Sequence, residues 1–449
     1  MRLKDKSLKI QLSDHFTYRR LLRFVFPSII MMIFTSIYGV VDGLFVSNYV
    51  GKTPFAAINL VMPFIMIFGG FGFMIGTGGS ALVAKKLGEG DNDRANQYFS
   101  MLIMLTVLLG IIISAVGIAF IRKISFLLGA TEDMIGDCVT YGTILISFTT
   151  AFMLQNVFQS LLITAEKPKL GLYVTVAAGV TNMVLDALFV AAFKWGLVGA
   201  AAATVLSQCV GGLLPLIYFI RPNSSLLKLV KTKLEWRPML KACTNGSSEL
   251  MSNISMSLVS IVYNFQLMRI AGENGVAAYG VIMYVNFIFI AIFIGYSVGS
   301  APIVGYHFGA ENHAELKNML KKSLVLMGSA GLLLTALAEA LASPLASLFV
   351  GYDAELFEMT CRAFRIFSIS LVLAGVNILA SSFFTALNNG AVSAAISFLR
   401  TLVFQMLAVL ILPILLASDG IWLAIVVAEV LATAVSGIFL VIKRKQYRY

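Results

Sequence analysis

The chain is a succession of long apolar runs separated by short polar breaks. A helix needs about 20 apolar residues to cross a hydrocarbon layer roughly 30 Å thick, and runs of that length recur almost from end to end. The pattern predicts helices near residues 21–46, 54–83, 100–121, 135–163, 170–193 and 197–220, then near 242–268, 276–305, 322–350, 360–386, 391–416 and 420–442. A transmembrane β-barrel would need strands of about ten residues alternating in polarity. Residues 101–120 are apolar on every face instead, so helices are the expected spanning element. The expected fold is an all-α integral membrane protein of about twelve spans.

The two sets of six are related. At an offset of about 221 residues, Gly51, Ala56, Ala57, Gly78 and Gly88 fall opposite Gly272, Ala277, Ala278, Gly299 and Gly309, and Leu128 and Gly129 match Phe349 and Gly351 with a slip of one. The loop Leu87-Gly88-Glu89-Gly90-Asp91-Asn92 is similar in character to Phe308-Gly309-Ala310-Glu311-Asn312-His313. Six spans per half bring the second copy into the membrane in the same sense as the first, a parallel repeat about an axis along the membrane normal. The expected organisation is an N-terminal lobe over 1–222, a cytoplasmic linker over 223–241 within the hydrophilic stretch 221–241, and a C-terminal lobe over 242–449. Gly72 with Gly76 and Gly295 with Gly299 form GxxxG pairs suited to close helix contact. Gly76-Thr77-Gly78-Gly79 is not followed by the GK[ST] of a phosphate loop, so it too reads as packing, and nothing suggests ATP-driven transport.

Composition fits this picture: 59% hydrophobic and 12% charged residues, with a mean hydropathy of +0.90, are too apolar for a surface in water. About twenty polar and basic residues precede the first run without a small-residue cleavage site, as expected of an uncleaved first helix. The net charge of +11 lies on alternate loops: Arg2 to Arg23, Lys85, Lys86, Arg94, Lys167, Lys169, residues 221–241, Lys317 to Lys322, and the tail from Lys443 to Arg448. Opposite loops hold little beyond Lys52, Arg122, Lys123, Lys194 and Arg269. The positive-inside rule then predicts a multi-pass protein of the inner or plasma membrane with both termini cytoplasmic. Its basic loops face anionic headgroups, and no nucleic acid is expected as a partner. Cys138, Cys209, Cys243 and Cys361 lie in apolar segments without metal-ligand spacing and read as buried thiols.

An ionised side chain at mid-bilayer costs on the order of 2.5 to 3.5 kcal/mol on insertion scales, so each one needs a reason to be there. Asp42 lies late in the first span and Asp186 in the fifth, with Asn182 four residues before it on the same helical face. No basic residue in those spans neutralises them, and burial favours the protonated form of a carboxyl. This makes Asp42, Asn182 and Asp186 candidates to hold a proton or a small cation such as Na⁺. At the repeat offset Asp42 and Asp186 face Tyr263 and about Ala408, so the acid site is not duplicated. The second half has instead Glu249, Glu339, Arg400 and Glu429, and Glu429 occupies the repeat position of Gln208. Glu249, Gln208 and Glu429 are candidate inward-facing residues; Glu339 reads as an interface residue, and Arg400 either snorkels to the headgroups or pairs with Glu429. His307 at a span end reads as a headgroup-level or packing residue. Most of the 20 methionines are ordinary packing, with a minority suited to lining a loosely specified cavity.

Pro27, then Tyr38-Gly39-Val40-Val41-Asp42-Gly43-Leu44-Phe45-Val46, Val50-Gly51, Ala56-Ala57, Gly78 and Leu87-Gly88-Glu89-Gly90-Asp91, together resemble the N-terminal signature of the multidrug and toxic compound extrusion (MATE) transporters of the MOP superfamily, nearest their prokaryotic DinF-like and MepA-like branches. The resemblance covers essentially the whole chain in span number, duplication and loop placement. It implies export of amphiphilic, often cationic compounds in exchange for H⁺ or Na⁺, with a cation site at Asp42, Asn182 and Asp186 and Tyr38, Tyr141 and Thr204 as neighbours. NorM-like relatives use a C-lobe site with a seventh-helix glutamate, matched here by Glu249, and a tenth-helix aspartate, for which the span around residues 369–386 offers no acid. The resulting expectation is an antiporter acting by alternating access, functional as a monomer, without a cofactor, in which ion binding at Asp42 and Asp186 competes with substrate in a central cavity. A flippase for lipid-linked precursors is the alternative within the superfamily. A membrane enzyme or receptor finds no support in any motif.

Overall fold

The computed structural model describes residues 10–50 and 52–449, without the side chains of Leu44, Ser47, Asn48, Lys52, Thr53, Phe55 and Ala56. Gly51 and the basic residues from Arg2 to Lys9 therefore lie outside the described residues, as do the side chains of Lys52 and Ala56. Twelve helical passes run through the described residues. α1 is Tyr18–Tyr49, α2 Lys52–Gly88 and α3 Asn92–Leu127. α4 is a bent pair, Glu132–Ser147 with Thr149–Thr164, turned by 53°. α5 is Pro168–Leu185 continued by a π-helical stretch Asp186–Ala192, and α6 is Gly196–Ile220. The stretch Trp236–Gly309 is 74 residues long, about 111 Å at 1.5 Å per residue, far too long for one pass. It breaks at Gly272 (φ 64°) into α7 and α8. α9 is His313–Val350, and α10 is the second bent pair, Ala354–Ser368 with Leu371–Ala386, turned by 45°. The stretch from Gly390 to Tyr447 carries a π-helical turn at Leu399–Phe404 and breaks at Ala417 into α11 and α12. The bends in α4 and α10 are not expected from sequence, because neither Phe148 nor Ile369–Ser370 offers the proline or glycine that usually kinks a helix.

The duplication reappears in the backbone. Left-handed residues occur in pairs at the repeat spacing: Gly90 (φ 79°) with Glu311 (φ 53°), Glu166 (φ 57°) with Asn388 (φ 58°), and Gly196 (φ 56°) with Ala417 (φ 49°). Both copies close their fourth span alike. Lys167 N donates to Leu162 O, and Asn389 N donates to Phe384 O, which is the Schellman pattern of an αL-terminated helix. After the turns at Gly90 and Glu311, Asp91 caps α3 by accepting from Arg94 N, and Asn312 caps α9 by accepting from Glu315 N. Ala417, with ψ −131°, holds a conformation that costs a residue bearing Cβ roughly 1–3 kcal/mol. Ala417→Gly is expected to raise the melting temperature of the purified protein in detergent, and a lower one would contradict this turn.

The face carrying Tyr449, the strap at residues 10–17 and the loops after α2, α4, α8 and α10 is called the terminal face here. There the two bundles are pressed together about the repeat axis. A Cβ added to Gly88 would lie 1.9 Å from Tyr306 O, and one added to Gly309 would lie 2.0 Å from Lys85 O. These contacts are each other's repeat images, so α2 and α8 cross on the axis itself. At the opposite end the bundles separate. The first half keeps its own core there, made by Val46, Ile58, Val61, Ile65, Ile135, Tyr141, Leu145, Val190 and Leu197, apart from the continuous core that joins both halves toward the terminal face.

The strap lies across that closure, with Leu12 and Phe16 buried. Leu12 N donates to Glu166 Oε1 (2.9 Å) in the α4–α5 loop of the first half. On α9 of the second half, Glu315 accepts from Phe16 N (2.9 Å) and meets His15 Nδ1 (2.6 Å), while Asn318 Nδ2 (3.0 Å) and Lys322 Nζ (2.5 Å) donate to Phe16 O. His307, only 2% exposed, lies beside the backbone of Leu12 and Asp14.

Candidate functional site

Two polar sites are built into the apolar bundle. The first lies inside the N-terminal half. Tyr38 and Asp42 stand four residues apart on α1, and Gly179, Asn182 and Asp186 follow at spacings of three and four on α5, so each set shares a helical face. The two faces meet. The Tyr38 ring packs on Gly179, and Asp42 lies beside both the Asp186 carboxyl and the Asn182 amide. Tyr38 neighbours Gln155 of α4, and Tyr141 is within electrostatic reach of both carboxyls, with its hydroxyl turned to Met62 Sδ at 3.7 Å. Asp186 is 0% and Asn182 2% exposed. The π-helical stretch begins at Asp186; such turns shift the register of the side chains that follow and recur at functional sites.

The site holds more acceptors than its donors match. Asp42 Oδ1, Asn182 Oδ1 and both carboxyl oxygens of Asp186 are buried with no hydrogen-bond partner among the described residues. Leaving a buried acceptor unmatched costs about 1–3 kcal/mol, and more when it is charged. A small cation can be ligated by all four oxygens, and a proton on one carboxyl can be shared with a second; an anion or another donor-free group relieves none of them.

The second site is a cavity of about 830 Å³ between the halves. The first half contributes Asn59, Met62, Met66 and Thr77, and the second most of the wall, including Asn253, Asn264, Tyr279, Asn286 and a row of serines. Glu249 and Glu429 both line it, and Glu249 makes no ion pair among the described residues. Glu429 is 1% exposed. It accepts from Arg400 Nη2 (2.7 Å) and Nε (2.8 Å) and from Asn377 Nδ2 (2.7 Å). Arg400 therefore pairs with Glu429 and does not snorkel to the headgroups. Tyr38, Asp42, Tyr141, Asn182, Asp186, Thr204 and Gln208 line no part of this cavity. The acid pair and the cavity lining are therefore separate sets of residues. The Thr204 hydroxyl donates to Ala200 O of its own helix (3.0 Å), and Gln208 is buried with an unpartnered Oε1. Glu339 accepts from the Ser368 hydroxyl (2.9 Å), tying α9 to the bend in α10.

Sequence reasoning did not single out Gln155 or Asn377. Both are amides in apolar spans, Gln155 within the run Gln155-Asn156-Val157-Phe158-Gln159. An uncharged amide costs far less to bury than an acid, so a search for costly residues passes over it.

Comparison with known proteins agrees with this geometry. The MatE family profile matches the chain twice, over residues 27–188 and 250–411, once in each half. The multidrug export protein MepA of Staphylococcus haemolyticus is 24% identical over 72% of this chain and 71% of its own. Among solved structures, a crystal structure of MATE in complex with MaL6 superposes with a TM-score of 0.93 at 22% identity, covering 98% of this chain and 99% of that one. The outward-facing conformation of a multidrug resistance MATE family transporter of the MOP superfamily gives a TM-score of 0.92 at 23% identity, with coverage of 98% and 99%. A profile met once in each half, twelve passes in two like bundles, and near-complete superposition together make this chain a multi-pass membrane protein of the MatE family.

Proposed function

We propose that the chain is an antiporter that exports amphiphilic cations in exchange for H⁺ or Na⁺ entering at Asp42 and Asp186. One observation carries the reading: buried oxygens without partners are gathered in one half, outside the lining of a separate cavity where Glu249 is an acid with no ion pair among the described residues. Buried oxygens left without partners take up a cation, and a largely apolar cavity with one free acid suits an amphiphilic cation. The relatives named for multidrug export support the same direction. With basic loops inside, the terminal face is cytoplasmic, the contact at Gly88 and Gly309 closes the cytoplasmic side, and the cavity leans outward. Export then proceeds by alternating closure of the two ends. Both sites are complete within one chain, so a monomer suffices.

The flippase reading fits less well. A diphosphate carrier needs several cations, whereas Arg400 is the one basic residue among those lining the cavity, and it is already paired. The test is ethidium transport in proteoliposomes with imposed H⁺ or Na⁺ gradients, tried one at a time. Movement of ethidium against its own gradient, driven by one of the two ions, is the expected result; flux indifferent to both defeats the antiport reading.

A further inference from the structure

Glu429 and Asn377 hold a guanidinium against the cavity, and part of that guanidinium is unused. Arg400 carries five N–H donors. Nε contacts both Glu429 oxygens (2.8 and 3.0 Å) and Nη2 contacts Oε1 (2.7 Å), while Nη1 makes no hydrogen bond among the described residues. Glu429 is saturated by comparison: its Oε2 also takes the Asn377 amide at 2.7 Å, and Asn377 in turn donates to the Glu429 backbone oxygen at 3.0 Å. A saturated carboxylate, 1% exposed, has no capacity left for a ligand. It can fix the plane of Arg400, whose side chain is 16% exposed and lines the cavity. The π-helical turn Leu399–Phe404 carries Arg400 at its second position. The remaining edge of a guanidinium locked in plane, one N–H from Nη1 and one from Nη2, offers the parallel donors that recognise a carboxylate.

The cavity also fixes where the other end of such a ligand lies. Gly390 at the start of α11 packs on Thr244 and Asn245 of α7, so the two helices leave the terminal face at the same level. At 1.5 Å per residue Arg400 stands about 15 Å above that contact and Glu249 about 7 Å, a separation of roughly 8 Å along the helices. We propose that Arg400, held by Glu429 and Asn377, is an anion subsite that takes the carboxylate of an amphiphilic zwitterion while Glu249 draws its ammonium end. This rests on the export reading for its physiological sense, but binding alone tests it.

The experiment measures equilibrium binding of norfloxacin, which carries a secondary amine and a carboxylate, and of its methyl ester, which lacks the anion, to the purified full chain in nanodiscs. Unsubstituted protein is expected to prefer the acid by about tenfold or more, as charge-assisted bidentate contacts do. In the doubly neutral variant Arg400→Gln with Glu429→Gln, which leaves no orphaned charge, the preference should fall to about unity. Arg400→Lys keeps the charge but loses the fork; its preference should fall at least about threefold, and it serves if the double variant does not fold. Equal affinity for acid and ester in the unsubstituted protein, or an unchanged ratio in the variants, overturns the subsite. A collapsed ratio in a protein that moves no ethidium would sink the export reading and leave the subsite standing.

Discussion

Asp42→Asn and Asp186→Asn are each expected to lower ion-driven ethidium efflux at least about tenfold, within the 1–3 kcal/mol typical of coupling between sites. The amide keeps the shape of the side chain but has neither the titratable proton nor the negative charge of the acid. Because the acids line no part of the cavity, the loss should appear in the response to an ion gradient, with efflux losing its dependence on that gradient. Removing an unmatched buried acid also removes a desolvation cost, so the melting temperature in detergent should hold or rise. Wild-type gradient dependence in both variants would rule out this pair as the ion site. A lower melting temperature would point to a structural role instead.

The second large effect is expected at the crossing of α2 and α8. Gly88→Val or Gly309→Val places side-chain atoms where a backbone oxygen now lies within 2.0 Å of the Cβ position. Helices cannot give way by that much without parting, because interiors are close-packed and overpacking costs about 1–3 kcal/mol. Spin labels at Glu89→Cys and Glu311→Cys should report a longer distance across the terminal face in either valine variant, and efflux should drop by roughly tenfold. Gly328→Val is the control, since nothing lies within 4 Å of its Cβ position. An unchanged label distance in the Gly88 and Gly309 variants would show that the crossing does not hold this face shut.

Much of this was legible in the sequence because lipid imposes a simple rule. Each span had to be an uninterrupted apolar run, and an acid inside one had to be exceptional, so Asp42, Asp186 and Glu429 stood out before any coordinates. The spacing of Asn182 and Asp186 fixed their shared face. What sequence could not supply is the rotation of one helix against another: that α1 turns Asp42 onto α5, outside the cavity lining, depends on packing around Gly179 and Tyr38. The Arg400–Glu429 pair was one of two readings for the same reason, since a long side chain reaches either headgroups or a neighbouring helix. The bends at Phe148 and Ser370 left no trace because they arise from tertiary contact, not from a residue that breaks helices.

The segment from Leu12 to Phe16 belongs to neither bundle, yet it holds Glu166 on one and Glu315 on the other. Any movement that swings these two glutamates apart must first peel away one end of a short peptide and strip the cover from His307. The energy of parting the halves is thus partly set by a short piece of main chain that lines neither polar site.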